Sequence, residues 1–225
     1  MVYIKFYEKL EYNIKEILRY MGCRKADEAV NKLIAECVAE LDGKLAFKVC
    51  YTELPISHKD GLTDLTFMQT KSAGLKKNLG GCDKIVLFAA TVGLEIDRLI
   101  ARYGVVSPVK SVAFQAIGAE RIESLCDLFE ADVKAKAAEE GRYIRPRFSA
   151  GYGDFELSAQ KKIFEVLDCQ RKIGLALNDS MLMSPSKSVT AIIGISKSPR
   201  VNRTARCAAC GKKDCEYKNC EYEGE

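Results

Sequence analysis

The sequence predicts an α+β fold in which several helices flank a mixed, mostly antiparallel sheet. One observation is the nearly continuous apolar run at residues 84–90, which is typical of a strand buried on both faces. A second is that residues 45–51 and 189–195 alternate as strands do. A third is that strands and helices follow one another in mixed order.

Helical spacing of apolar residues predicts five helices, over residues 14–21, 30–41, 96–103, 109 to about 140, and 159–167. Gly22, Gly43 and Gly141 are the predicted stops of three of them, and Ser158 is the predicted N-cap of the last. Residues 55–61 are predicted to be loop and residues 65–69 a further strand. Residues 181–183 and 189–195 are predicted to form an antiparallel hairpin around Pro185.

The composition restricts the size of the domain and the kinds of partner that the protein can have. A chain of 225 residues with 48% hydrophobic content can bury the core of one domain. We place this domain at residues 1–196, with a helical N-terminal part at about 1–43, and a small tail at residues 197–225. A formal charge of +4 does not indicate nucleic acid. No apolar span or signal-peptide core is visible, so we expect a cytoplasmic protein without a membrane.

Two classes of enzyme are poorly supported. The strand, glycine turn and helix at residues 84–103 lack the three-glycine fingerprint of dinucleotide-binding proteins. The chain has a single histidine, His58, which argues against a histidine-based triad or a multi-histidine zinc enzyme.

The chain contains ten cysteines in two groups. Six are scattered through apolar patterns and are expected to be free, small hydrophobic residues: Cys23, Cys37, Cys50, Cys82, Cys126 and Cys169. The other four lie close together in the tail: Cys207, Cys210, Cys215 and Cys220. Such a cluster predicts either a tetrahedral zinc site or an iron–sulfur cluster.

The surroundings of the four tail cysteines are basic. Six Lys or Arg residues and no acidic residue lie between Lys197 and Lys213, and positive neighbours lower thiol pKa values. The spacing looks like a zinc knuckle whose histidine is replaced by Cys215. Ala208 and Ala209 stand where knuckles place a stacking aromatic residue, so nucleic-acid binding is not expected.

Residues 145–153 combine two arginines, two glycines and a tyrosine in a segment that cannot be a regular helix. A guanidinium binds a carboxylate through two parallel hydrogen bonds, glycine lets a ligand approach the main chain, and tyrosine adds a flat face. This composition suits a small zwitterion that carries an aromatic base. An ordinary surface loop is the alternative.

Arg147-x-x-x-Gly151-Tyr152 resembles the Arg-x-x-x-Gly-Tyr signature of the activation domain of cobalamin-dependent methionine synthase. Residues 119–123, Ala-Glu-Arg-Ile-Glu, are similar to the Ala-Asp-Arg-Leu-Ala-Glu segment of that family. Residues 180–189 are similar to its Ser-Phe-Ala-Met-Trp-Pro-Gly-Ala-Ser-Val segment. The three segments come in the same order between about Lys84 and Ile195. The family's closing segment, with a ligand-binding tyrosine, has no counterpart after Ile195.

The resemblance implies a free-standing activation subunit that binds S-adenosylmethionine and is not a catalyst alone. It would support reductive methylation of cobalamin on a partner, either a methionine synthase or another corrinoid methyltransferase. A reductant such as flavodoxin or ferredoxin would supply the electron. The chain has nothing like the cobalamin-binding Asp-x-His-x-x-Gly motif, so the cobalamin must come with the partner.

The same resemblance implies roles for five residues. Arg147 would pair with the methionyl carboxylate, the main chain of Ser149 and Gly151 would hydrogen-bond the ligand, and Tyr152 would pack beside it. Glu123 would face the sulfonium. Two other functions remain open from the tail alone: a metal-stabilised module that binds nucleic acid or a protein partner, and an iron–sulfur electron-transfer subunit.

Overall fold

The computed structural model describes residues 1–8, 10–23, 27–59 and 61–199. The helices in these residues are α1 Ile14–Tyr20, α2 Glu28–Leu41, α3 Ala73–Asn78, α4 Glu95–Val106, α5 Pro108–Glu139, α6 Ala159–Leu167 and α7 Cys169–Ile173. The strands are β1 Tyr3–Tyr7, β2 Phe47–Pro55, β3 Ser57–Lys59, β4 Leu62–Asp64, β5 Gln69–Thr70, β6 Cys82–Thr91, β7 Tyr143–Ile144, β8 Ala176–Leu177, β9 Met183–Ser184 and β10 Ser188–Ser196.

The main sheet has five strands in the order β1-β2-β6-β10-β7, and each neighbouring pair is antiparallel. Phe88 at the middle of β6 lies opposite Tyr51 of β2 and Ala191 of β10. Two small antiparallel sheets, β3-β4-β5 and β8-β9, complete the strands of the described residues. The predicted α+β class with a mostly antiparallel sheet is confirmed.

The main sheet separates two hydrophobic clusters because its central strands are buried on both faces. In β6, Val86, Phe88 and Ala90 belong to the first cluster, while the alternating residues Ile85 and Leu87 belong to the second. Helices α1, α2, α4 and α5 cover the first face, and α3, α6 and α7 cover the second. The apolar run at residues 84–90 therefore forms a strand that is buried on both faces from Ile85 onward, as predicted.

Two segments differ from the sequence prediction because their pairing is not local. Residues 3–7, grouped with the N-terminal helical part, form the edge strand β1, in which Tyr3 lies opposite Tyr51. Residues 55–61, predicted to be loop, contain β3, whose Ser57 lies opposite Asp64 of β4. Pairing with a distant or adjacent strand outweighs the weak local preference of these short segments.

The predicted hairpin around Pro185 is wrong. Met183 of β9 pairs with Leu177 of β8, whereas β10 lies between β6 and β7. Strand β10 is almost entirely buried and apolar, so its position inside the main sheet removes more apolar surface from water than a two-stranded hairpin would.

Candidate functional site

The segment with the Arg-Gly-Tyr motif is fastened to the edge of the main sheet. Phe148 and Ile192 of β10 exchange two backbone hydrogen bonds of 2.9 Å. The Phe148 ring packs into the second hydrophobic cluster, whereas the preceding side chain, Arg147, contacts α5 on the other face of the sheet. The extended backbone at this point therefore sends the two neighbouring side chains to opposite sides.

Arg147 is surrounded by three carboxylates of α5, which we call the acidic stripe. Its Nη2 lies 2.7 Å from Oε2 of Glu123. Its Nη1 lies 2.6 Å from Oδ1 of Asp127 and 3.1 Å from Oε2 of Glu130. The three acids are four and three residues apart, so they share one face of the helix. The structure thus brings Arg147 and Glu123 together.

Asp127 and Glu130 were not predicted as site residues. Their signal in the sequence was present: acids at positions i, i+4 and i+7 of a long predicted helix form a stripe along one side. The sequence does not show which cation lies against this stripe. Arg147 comes after the end of α5 and after β7, so its position relative to the stripe depends on how the chain folds back.

The charges of the cluster are unbalanced, with one guanidinium against three carboxylates. Burial by itself lowers the pKa of Arg147, but hydrogen bonds to Asp127 and Glu123 outweigh it and raise that pKa above its usual value, so Arg147 stays charged. The side chains of Arg147, Glu123 and Asp127 are 25%, 45% and 69% exposed. An incoming ligand carboxylate can therefore displace Asp127 most easily, since that carboxylate loses least by returning to water.

The backbone of Gly151 is in the left-handed region with φ +86°, and its amide donates to the Phe155 carbonyl at 2.7 Å. A Cβ at this position would lie 3.0 Å from Cδ1 of Leu157, so only glycine fits without strain. The Gly151 amide therefore donates its hydrogen bond within the turn and has none left for a ligand. The Ser149 amide donates to no acceptor within the described residues.

Tyr152 is 70% exposed, and its ring meets the Phe148 ring edge-on with 5.5 Å between centroids. This packing places Tyr152 beside the second-cluster side of the loop. The side chain of Arg147 lies on the α5 side. The side chains of these two predicted site residues are therefore on opposite sides of the loop.

Asp154 fixes the far end of the loop. Its carboxylate accepts hydrogen bonds from Ser72 Oγ at 2.6 Å and from the amides of Ala73 and Gly74 at 2.6 and 3.0 Å. These contacts, led by the one from Ser72, hold the pKa of Asp154 below its usual value. Asp154 thereby satisfies free amides at the start of α3 and holds the loop against that helix.

A cleft of about 260 Å³ lies between α1 and α5, and two of the carboxylates that pair with Arg147 line it. Glu123 and Asp127 of the acidic stripe form part of its wall. The remaining lining residues, with which we define the α1–α5 cleft, are Asn13, Glu16, Tyr20, Glu120 and Ser124. The cleft combines an aromatic ring with several carboxylates, so it suits a ligand that is partly aromatic and carries positive charge.

Arg121, in the segment quoted for the family resemblance, has a structural role instead. It is fully buried, and its Nε lies 2.6 Å from Oε2 of Glu120. It also donates to the backbone carbonyls of Leu10 at 2.7 Å and Glu11 at 2.6 Å. The guanidinium lies 3.8 Å from the centre of the Tyr12 ring. Arg121 therefore fastens the N-terminal segment to α5.

Five of the six scattered cysteines are buried free thiols, and Cys23 is half-buried. Among residues 1–199, apart from the gaps named above, no group of three His, Cys, Asp or Glu side chains is arranged to hold a metal ion. The predicted metal ligands Cys207, Cys210, Cys215 and Cys220 lie outside the described residues. Within the described part of the chain, no helix is long and apolar enough to cross a membrane.

Comparison with known proteins places the chain in a family. The family described as the activation domain of vitamin B12 dependent methionine synthase matches residues 67–214, about two thirds of the chain. Among solved structures, the MetH reactivation domain bound to AdoHcy is similar, with a TM-score of 0.63 at 17% sequence identity. The match covers 89% of this chain and 80% of that one. No curated protein matches. The chain belongs to the family of vitamin B12-dependent methionine synthase activation domains.

Proposed function

We propose that this chain binds S-adenosylmethionine at Arg147 and the adjoining α1–α5 cleft. In this role it supports the reductive methylation of cobalamin carried by a partner protein. The observation that carries the proposal is a partly exposed guanidinium beside a cleft with a tyrosine ring and excess negative charge. The ligand of the similar MetH structure, AdoHcy, is S-adenosylmethionine without its transferable methyl group, which supports the same class of ligand here.

The charges of the site match those of the ligand. S-adenosylmethionine carries a sulfonium and an ammonium, both positive, and one carboxylate. Arg147 would bind the carboxylate after Asp127 turns away into solvent, and the released acid together with Glu123 would attract the positive groups. Tyr20 lines the α1–α5 cleft, and the part of its ring that the Arg19 guanidinium does not cover would contact the adenine base.

The loop would supply the remaining contacts. Because the Gly151 amide donates to Phe155, we assign the main-chain hydrogen bond to the Ser149 amide. Gly151 then serves to form the turn. Tyr152, on the other side of the loop, is available to pack against whatever part of the ligand or partner extends beyond the sheet edge.

We infer that cobalamin is held by a partner module, because residues 1–225 contain no Asp-x-His-x-x-Gly motif for it, and that this chain acts as the activation subunit of that partner. When bound to the partner, cobalamin supplies the cobalt that accepts the methyl group. This chain would hold the methyl donor in position, and flavodoxin or ferredoxin would donate the electron. Transfer of a labelled methyl group to a cobalamin-loaded partner, with and without this chain, tests the role.

The test of ligand binding is calorimetric titration with S-adenosylmethionine. A charge-assisted bidentate contact contributes about 1.5–3 kcal/mol, so Arg147→Ala should weaken binding by about 10- to 100-fold. The matched control is Arg98→Ala on α4, where a partly exposed arginine pairs with Glu95 far from the loop. An unchanged dissociation constant in the Arg147 variant would remove the proposal.

We also propose that Cys207, Cys210, Cys215 and Cys220 bind a metal centre, on the evidence of their spacing alone. Elemental analysis of anaerobically purified protein distinguishes the two candidates. Zinc gives a colourless protein with one ion per chain, and an iron–sulfur cluster gives visible absorbance that dithionite bleaches. Protein without either metal would contradict the assignment.

A further inference from the structure

A second cavity, also of about 260 Å³, lies between the C-terminal half of α5 and the β1–β2 side of the main sheet. Its floor is apolar and includes Val86, Phe129, Val133 and Ile195, all buried. The Tyr51 and Phe129 rings lie side by side in it, with 5.2 Å between their centroids. Such a floor can hold the apolar body of a small ligand.

The basic side chains at the rim of this cavity are already neutralised. Lys5 lies 2.7 Å from Asp132, and Lys136 lies 2.6 Å from Glu53. The Glu53 carboxylate also accepts a hydrogen bond from Lys84 Nζ at 3.1 Å. An anionic ligand would have to break one of these pairs before it gained a partner.

Two further acids at the rim, Glu139 and Glu140, form no salt bridge within the described residues. They stand at the C-terminal end of α5, where the helix dipole adds partial negative charge. The uncompensated charge at the mouth of the cavity is therefore negative, and the rings of Tyr51 and Phe129 line the cavity.

We propose that this cavity binds a small organic cation that carries an apolar body. The apolar floor takes the body, and the Tyr51 ring with the carboxylates of Glu139 and Glu140 attracts the cation. The cavity is distinct from the α1–α5 cleft, because Phe129 and Val133 face it whereas Glu123 and Asp127 face the cleft. The proposal therefore does not depend on the function of Arg147.

The experiment is calorimetric titration of the full chain with three probes of similar shape: 2-phenylethylammonium, 2-phenylethanol and 3-phenylpropionate. A cation–π contact of about 1 kcal/mol should make the cation bind roughly five-fold tighter than the alcohol, and the anion should bind weakest. Arg147→Ala should leave unchanged the part of the affinity that substitutions in the lining of this cavity remove, which separates this site from the proposed S-adenosylmethionine site.

Two variants localise the binding. Ala135→Phe places a ring at the exposed mouth and should abolish binding of the cation. Glu139→Gln with Glu140→Gln should remove most of the preference for the cation over the alcohol. The control is Glu165→Gln on α6, on the other face of the sheet. Equal binding of the three probes, no binding of the cation, or full binding by the double glutamine variant would each overturn the proposal.

Discussion

Arg121, a residue of α5, and Arg147, which contacts α5 from the loop, have different surroundings, and the difference distinguishes a structural arginine from one that can bind a ligand. Arg121 is fully buried and is held by Glu120 and two backbone carbonyls, groups that cannot move away. Arg147 is a quarter exposed and is held by side chains of the acidic stripe, of which Asp127 is mostly in solvent. A cation with fixed partners fastens the chain, whereas one with movable partners can exchange them for a ligand.

The largest expected effect comes from the buried arginine. Arg121→Leu leaves the Glu120 carboxylate buried without its partner and should lower the free energy of unfolding by about 3–5 kcal/mol. Urea denaturation followed by circular dichroism measures this loss. The double variant Arg121→Leu, Glu120→Leu should recover part of it. A loss below about 1 kcal/mol in the single variant would show that Arg121 does not fasten the N-terminal segment.

An intermediate effect is expected from the turn that carries the binding motif. Gly151→Ala forces a Cβ into the left-handed region and against Leu157, and should cost about 1–2 kcal/mol of unfolding free energy. The matched control is Gly153→Ala, since Gly153 has φ +60° but open space around its Cβ position. If both variants lose the same stability, the contact with Leu157 contributes nothing.

The smallest effect on stability is expected from the arginine of the proposed site. Arg147→Gln removes ion pairs that are partly exposed, so the free energy of unfolding should change by less than about 1 kcal/mol. Urea denaturation in parallel with Arg121→Leu makes the comparison direct. A loss as large as that of the Arg121 variant would assign Arg147 to the fold and weaken its assignment to the ligand.

The sequence predicted the parts of the fold that have strong local patterns. The buried strand β6 and the long helix α5 were predicted because continuous apolar character and helical spacing persist over many residues. Strand β1 and the pairing of β9 with β8 were missed because strand pairing depends on residues elsewhere in the chain. Short segments carry too little pattern to specify a distant partner.

For the candidate site, the sequence predicted the loop and its glycine turn but not its electrostatics. From the sequence, Glu123 was expected to face the sulfonium of the ligand. In the structure it pairs with Arg147 instead. The α1–α5 cleft and Tyr20 were missed altogether, because α1 and α5 are about a hundred residues apart in the chain. Only the folded chain shows which helix faces contribute to one site.

The burial of β6 and β10 on both faces has a practical consequence for measurement. Arg147, the α1–α5 cleft and the second cavity all involve α5, whereas α6 and its exposed lysines Lys161 and Lys162 belong to the opposite side. A dye or sensor attached only on α6 leaves both proposed ligand sites facing solution, whereas coupling through all exposed amines would also modify Lys136 at the rim of the second cavity. The central sheet serves as a partition, so that one side of the domain can be labelled while the other is titrated.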